Sequence, residues 1–563
     1  MSFAVRKFLP LLLTGVLSTS LWFVATTTTS VVAGNALGET ALAGVSLVSP
    51  LFSALGFVAE LVGFGTAIAL SLEMGHARPR RANECFSLGF WTAVAVGGLV
   101  SLFLLFGARF YLSFFGAAPE VTAAASRYLA WYWPAPLLSA LMTLGLYVLA
   151  AEGDTLRCTA ATLAFFVLNA VFMLIGVRTG HGLGSCALAT VLAEAVAVAI
   201  LATHAFAKAN TLRFVRHFAW KDLRDIFGRS FGDSVQSLSE AVLMLFLAKI
   251  VILKLGSGML PVLQVALTLW GLSDFLDGIP GAIPPLVTVY HGEGNPAGVR
   301  RVMRAATRLS LAAGVVLALV LMAAPDLLPR LLGVTDPALR ASSARMVRFV
   351  APVLVALAFA CLHTAYFACV ERSRWALALS LTVYLAGPVL AILVCSAVAP
   401  DGLWFGLMAG PYLALAVVGA VLFRRAGRAG FPLLLDRSVE ARTSCFTLLL
   451  ADSEVVAVSR QIGEKLGRNA SVALKASLLV EEALLAVRDR NAGRRVLAEV
   501  TLIDGPEALL ILRDDGEIFD NTDADAKISS LRGFVVANLM ERQLHRQNLI
   551  TTGFNRNVFR FTT

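Results

Sequence analysis

The sequence predicts a polytopic α-helical membrane protein: twelve transmembrane helices in two six-helix repeats, followed by a small C-terminal α/β two-layer domain. Three observations carry this. First, hydrophobic residues make up 58% of the 563 positions and charged residues only 15%, against roughly 25% charged in soluble domains. Mean hydropathy is +0.76. Second, twelve apolar runs are each long enough to cross a bilayer, which takes roughly 20 residues. Third, such runs cease beyond the basic segment RRAGRAG, which ends at Gly430.

The apolar spans lie near 8–33, 42–72, 85–107, 122–150, 156–176, 182–206, 231–255, 259–289, 306–328, 346–370, 375–399 and 402–424. The opening MSFAVRKFLPLLL has the charge pattern of a secretory leader, but its apolar run continues beyond a typical h-region without a clear cleavage site. It reads as an uncleaved first membrane helix. The seven cysteines are scattered and odd in number, so they suggest neither a disulfide framework nor a metal site.

Loop charge sets orientation. One set of loops is rich in Arg and Lys, including Arg78, Arg80 and Arg81, the segment from Lys208 to Arg229, and Arg300, Arg301, Arg304 and Arg308. The alternate loops are much poorer in them. The positive-inside rule then places both termini in the cytoplasm of a multi-pass protein in the cell membrane. Residues 1–440 hold 31 Lys and Arg against 21 Asp and Glu, whereas residues 441–563 hold 16 of each. The excess charge belongs to membrane loops. A nucleic-acid partner, which needs a clustered basic face, is excluded.

The basic segment 207–230 reads as a linker between a first repeat, 1–206, and a second, 231–428. Aligning Gly75 of GTAIALSLEMGHARPRRA with Gly292 of GAIPPLVTVYHGEGNPAGVRR fixes the offset between the halves. Pro134 and Glu152 in the first half match Pro352 and Glu371 in the second. Duplicated six-helix bundles are a common transporter plan, with a cleft between the halves. In the tail, 441–563, two stretches show helical spacing. RRVLAEVTLID and EALLILRDD alternate like paired strands, with Gly505 and Pro506 as the turn.

An ionisable group inside a span is costly and marks a candidate site. Glu60, Glu194, Asp233, Glu240, Lys249, Asp274, Asp277 and His363 qualify. Glu60 lies near the midplane, and the offset that carries Gly75 onto Gly292 carries Glu60 onto Asp277, so each half offers one carboxylate at an equivalent position. Such acids suit H⁺ or Na⁺ coupling, because their charge state can bias which side the cleft opens to. Asp274 lies one turn before Asp277, and Glu240 lies in the seventh span. A structural pairing of Glu60 with Lys249 is the plainer alternative. Lys249 reads as a counter-ion or snorkelling side chain, and His363 as a packed residue. The hydroxyl run from Thr26 to Ser30 either lines a polar cleft or bonds back to its own helix.

The segments AGNALGETALAGVSLVSPL, GFGTAIALSLEMGHARPRRANECFSLG, LAAEGDTLRC, VLNAVFM and GLGSCALATV, in this order, resemble the MATE family of multidrug and toxin extrusion transporters. LPVLQVALTLWG and YHGEGNPAGVRR extend the resemblance through about residue 425. It implies efflux of organic, often cationic or amphipathic compounds, driven by H⁺ or Na⁺ moving inward. The chain departs from the family pattern at Thr29, where many members carry Asp, and at Met173, a turn after Asn169, where another Asp is common. Glu240 matches the family's acid in the seventh span. The coupling set is therefore expected among Glu60, Asp277, Glu240, Asp274, Thr29 and Asn169.

The tail's SLLVEEALLAVRD, LRDDGEIFDNTD, LRGFVVAN and GFNRNVFRF resemble the Bergerat-type ATP-binding fold of anti-sigma-factor serine kinases and histidine kinases. The resemblance implies nucleotide contacts from Glu481 or Glu482, Asp514, Gly516 and Gly533. Four residues past the two glutamates stand Leu485 and Ala486 where the family has its Mg²⁺-holding Asn. Apolar side chains cannot ligate a hard cation, so phosphoryl transfer is not expected. Two readings stay open for the tail: nucleotide binding, or a degenerate module that binds a cytoplasmic regulatory protein. No GxxxxGK[ST] phosphate loop occurs to let ATP drive transport. The expectation is a transporter, not an enzyme, that requires no cofactor and moves a small organic solute across the bilayer. The alternatives are a lipid-linked oligosaccharide flippase of the same superfamily and a membrane-anchored signalling protein with the tail as output.

Overall fold

The computed structural model describes residues 27–75, 79–152, 154–178, 180, 182–206, 212–216, 218–292, 294–370, 372–435, 441–466, 470–504, 507–517, 542–549 and 554–562, together with Phe8 and Leu12. The chain divides into two compact units. One comprises 16–278 and 309–418; the other comprises 1–15, 279–308 and 419–563.

In the larger unit, α1 (27–37) ends in a π-helical turn, Ala33–Leu37. Then follow α2 (Glu39–Gly75), α3 (Pro79–Ser113), α4 (Pro119–Tyr132), α5 (Ala135–Glu152), α6 (Thr155–Arg178), α7 (Leu183–Ala202), α8 (Trp220–Leu255) and α9 (Leu260–Leu276). The short α10 (Gly278–Gly281), α11 (Pro284–Gly292) and the start of α12 (Pro296–Ala323) follow in the chain and belong, from residue 279 to 308, to the smaller unit. The chain then returns through α13 (Leu327–Leu331), α14 (Pro337–Val350), α15 (Val353–Cys369), α16 (Ser373–Leu381), a π-turn at Thr382–Ala386, α17 (Gly387–Val398) and α18 (Gly402–Gly430).

Among the described residues, eight helices are long and apolar enough to cross a membrane, and two bent pairs raise the number to ten. These ten match ten of the twelve expected spans. The first expected span lies largely outside the described residues, and the seventh is α8, a 36-residue helix rich in polar side chains. Helix α8 already begins at Trp220, inside the segment expected to be a linker.

The duplication is visible in the helix starts. Those at 79, 119, 155 and 183 recur at 296, 337, 373 and 402, with almost the same spacing from one to the next. Both halves also bend at the same place. The α4–α5 pair turns by 54° and the α14–α15 pair by 48°, beside Pro134 and Pro352, because proline lacks the amide a continuous helix needs. One boundary differs from the expectation. The span read as 259–289 crosses as Ser257–Gly281, and the helix is interrupted between α9, α10 and α11. Its hydropathy is unbroken, but Pro280, Pro284 and Pro285 interrupt the hydrogen-bond ladder. The break falls beside Asp277, whose backbone forms the C-cap of α9.

The tail folds as β1 (Thr443–Leu449), α19 (Asp452–Lys465), α20 (Ala470–Arg490), β2 (Leu497–Ile503), β3 (Glu507–Asp514), β4 (Arg542–Leu549) and β5 (Phe554–Thr562). The sheet is antiparallel throughout, in the order β1-β2-β3-β5-β4. Ala498, Val500 and Leu502 of β2 and Leu510 and Leu512 of β3 pack with Val455, Ile462, Leu479 and Val480 of α19 and α20. The alternate residues of β2, Glu499 and Thr501, are polar, as a solvent-facing side would be, yet both are fully buried. Tyr290 and Asn295 cover them: the Tyr290 hydroxyl donates to Glu499 Oε1 at 3.0 Å, and Asn295 Nδ2 donates to Thr501 Oγ1 at 3.2 Å. Arg513 of β3 pairs with Glu499 at 2.8 Å and lies 4.4 Å from the centre of the Tyr290 ring. Burial pushes the Glu499 carboxyl above its usual range and brings the Arg513 guanidinium down to about 10.

Candidate functional site

Glu60 on α2, Glu240 on α8 and Asp274 and Asp277 at the end of α9 form one group, close enough for their charges to act on one another. Each keeps part of its surface accessible. Ser237 Oγ donates to Glu60 Oε2 at 2.9 Å, Gln236 Nε2 to Glu240 Oε1 at 3.3 Å and Cys361 Sγ to Asp277 Oδ1 at 2.9 Å. The break after α9 turns Asp277 toward α15, where Cys361 stands. Two buried donors border the group. Tyr384, on the π-turn, and Trp270, on α9, have rings 6.5 Å apart. Among the described residues neither the Tyr384 hydroxyl nor Trp270 Nε1 has a hydrogen-bond partner. A small apolar hollow beside Trp270 is walled by Leu243, Met244, Leu247 and Leu267. The arrangement can hold a cation at the carboxylates.

The alternative partners named for these acids find other places. Lys249 Nζ donates to the Phe114 and Phe115 carbonyls at 2.6 and 3.1 Å and lies over the Phe114 ring, capping the end of α3. His363 is 2% exposed, stacks on Phe359 at 3.9 Å and bonds its carbonyl, as a packed residue does. The Asp233 side chain lies outside the described residues.

Thr29 and Asn169 belong to a second group. Thr190 Oγ1 on α7 donates to Asn169 Oδ1 at 3.2 Å, and Thr29 Oγ1 lies 3.8 Å from Met173 Sδ. The fully buried Tyr128 of α4 faces both threonines. Glu194, one turn after Thr190, also faces Tyr128; it is 4% exposed, and its Oε2 has no hydrogen-bond partner among the described residues. The sequence showed Glu194 as an acid within a span, but its counterpart at the repeat offset is Pro411, so the internal symmetry that singled out Glu60 and Asp277 passed it over. A polar bridge between the halves was also not anticipated. Gln264 Nε2 on α9 donates to Ser30 Oγ at 2.9 Å, and Ser49 Oγ on α2 donates to Gln264 Oε1 at 3.3 Å.

In the tail, Asp514 is 3% exposed and already engaged: its Oδ1 accepts from Gly516 N at 3.1 Å and from Asn555 Nδ2 at 2.8 Å. Ser459 Oγ on α19 donates to Glu481 Oε2 at 3.2 Å. Glu482 is half-buried on α20. Gly533 lies outside the described residues.

The chain is similar in fold to several solved transporters. One, an inward-facing multidrug resistance MATE family transporter of the MOP superfamily, superposes with a TM-score of 0.65 at 21% identity, covering 72% of this chain and 94% of that one. A MOP superfamily transporter from Pyrococcus furiosus, described as having a binding pocket of reversed polarity, gives 0.63 at 20% identity over 75% and 96%. An outward-facing MATE family transporter gives 0.61 at 21% identity over 75% and 95%. No curated protein matches the chain. The MatE family model matches residues 10–175 and 234–393, one stretch in each half and together more than half of the sequence. The chain therefore belongs to the MatE family of multi-pass membrane transporters.

Proposed function

We propose that this protein is a secondary-active exporter that exchanges organic solutes, cationic or amphipathic, for H⁺ or Na⁺ by alternating access. The observation that carries the proposal is the gathering of Glu60, Glu240, Asp274 and Asp277 beside Trp270 and Tyr384. Like charges confined together in a low-dielectric surrounding repel, so ionising all four calls for an added cation. A proton, a metal ion and an organic cation would compete for the same negative charge. That competition is the requirement for antiport: the solute leaves when the coupling ion enters.

Glu194, with Thr29, Asn169, Thr190 and Tyr128, supplies a second acid in the first half, where Thr29 and Met173 stand in place of carboxylates. An ionised Glu194 would have no charge nearby to offset leaving water, so it too calls for a proton or cation. Glu194→Gln is expected to leave protein abundance unchanged and to lower gradient-driven export.

The loop charges support cytoplasmic termini. For the tail, the closed Asp514 turn and the missing Mg²⁺ ligand favour a regulatory module, for nucleotide or a cytoplasmic protein, over a kinase. The flippase reading calls for a basic cleft, and the charges at these two groups are acidic.

The test is uptake of ethidium into everted vesicles under an imposed pH gradient and, separately, an imposed Na⁺ gradient. One of the two should drive uptake without nucleotide. Uptake that requires ATP hydrolysis and ignores both gradients would overturn the proposal.

A further inference from the structure

At one end of the bundle the two halves meet without any intervening side chain. A Cβ on Gly34, in the π-turn that ends α1, would fall 1.7 Å from the Leu332 carbonyl oxygen. A Cβ on Gly333, whose φ of +70° already favours glycine, would fall 2.5 Å from the Gly34 carbonyl carbon. Around this backbone contact are side-chain bonds. Asn35 Nδ2 donates to the Leu331 carbonyl at 2.7 Å. Glu39, at the start of α2, accepts three hydrogen bonds on one carboxylate oxygen: from Asp336 N at 2.7 Å, Thr335 N at 2.8 Å and Thr335 Oγ1 at 3.2 Å.

These donors belong to the turn that leads into α14. Asp336 caps that helix itself, accepting from Ala338 N at 2.7 Å and Leu339 N at 3.4 Å. Glu39 takes the two preceding amides, which Asp336 cannot reach, and it does so from the other half of the molecule, far away in sequence. Bonds to an ionised acceptor are roughly twice as strong as neutral ones. Both loops lie on the side whose loops are poor in Arg and Lys, which the charge bias assigns to the outer face.

We propose that Glu39 is a gating residue: it latches the first half to the 331–336 turn and holds the outer mouth shut. The inference rests on the alternating-access reading above, in which the halves must part on this side to release solute. Opening then breaks three bonds to Glu39 and one to Asn35, together with the Gly34–Gly333 contact. Glutamine keeps the size of the side chain but removes the charge.

The experiment is hydrogen exchange by mass spectrometry on the full chain in nanodiscs, with and without ethidium, alongside ethidium efflux in vesicles. In the unmodified protein, segments 33–42 and 331–339 should exchange slowly alone and faster with ethidium. In Glu39→Gln both segments should exchange roughly tenfold faster without ethidium, the shift expected from losing charge-assisted bonds worth about one tenfold step. The sheet strand 497–503 should exchange as before, which shows that the variant is folded. Unchanged exchange in Glu39→Gln would overturn the latch. So would an increase confined to 335–339 with 33–42 unaffected, since Glu39 would then be only a cap for α14. Efflux separates the two proposals: normal efflux with unchanged exchange removes the latch alone, whereas absent efflux in the unmodified protein removes the transport reading.

Discussion

Single side chains here are held by charge at two kinds of place, and they should respond differently. Asp154, between α5 and α6, is tied to Arg157 and to His204 Nδ1 at 2.7 Å. Burial pushes its carboxyl up, but the hydrogen bonds from His204 and Arg157 outweigh it and leave the group below its ordinary 3.8. A carboxyl lowered in the folded state binds its proton more weakly there than in the unfolded chain. It therefore adds stability at neutral pH, and that stability begins to drain as the pH falls past 3.8 and is gone below the lowered value. Asp154→Asn should flatten the acid limb of thermal unfolding and change little at pH 7, because partly exposed pairs contribute only about 0–1 kcal/mol. Glu499 and Arg513 differ because neither touches water. Glu499→Ala leaves a buried guanidinium without its carboxylate and should cost about 3–5 kcal/mol of tail stability, read as earlier unfolding of the tail on heating. That Glu60 and Asp277 stand at matching positions of the two halves was legible from the internal repeat alone. The setting of Glu194 was not, because a burial that leaves one carboxylate oxygen unpartnered is a property of packing and not of the residue's place in the sequence.

Among the helices and strands, regular features were readable and interruptions were not. Pro134 and Pro352 marked matching positions in the sequence, and the structure bends there by 54° and 48°. The break between α9 and α11 was missed because window hydropathy averages over Pro280, Pro284 and Pro285. Strand β2 misled in the opposite sense. The alternation of Ala498, Val500 and Leu502 with Glu499 and Thr501 signals one dry and one wet face, whereas here the polar face receives Tyr290 and Asn295 from another part of the chain. That contact cannot be seen from the strand itself. It gives an expectation for the element: Tyr290→Phe removes one donor to Glu499, a bond worth about 1 kcal/mol. Limited proteolysis should then cut the tail about fivefold faster than in the unmodified protein.

For the molecule as a whole, the family followed from ordered segments in both halves, and the antiport reading follows from where the acids gather. Residues Glu60, Glu240, Asp274 and Asp277 come from α2, α8 and α9, so both halves contribute to one negative centre. The distribution of its charge is the feature the whole reading depends on. Ethidium transport into everted vesicles, compared at equal protein abundance for the unmodified protein and for Glu60→Gln and Asp277→Asn, tests it. Transport should fall at least roughly tenfold in each variant, as expected when about 1.4 kcal/mol or more of coupling is lost. Transport at the unmodified rate in both variants, under the same gradient, would contradict the proposal that these carboxylates couple ion entry to solute exit.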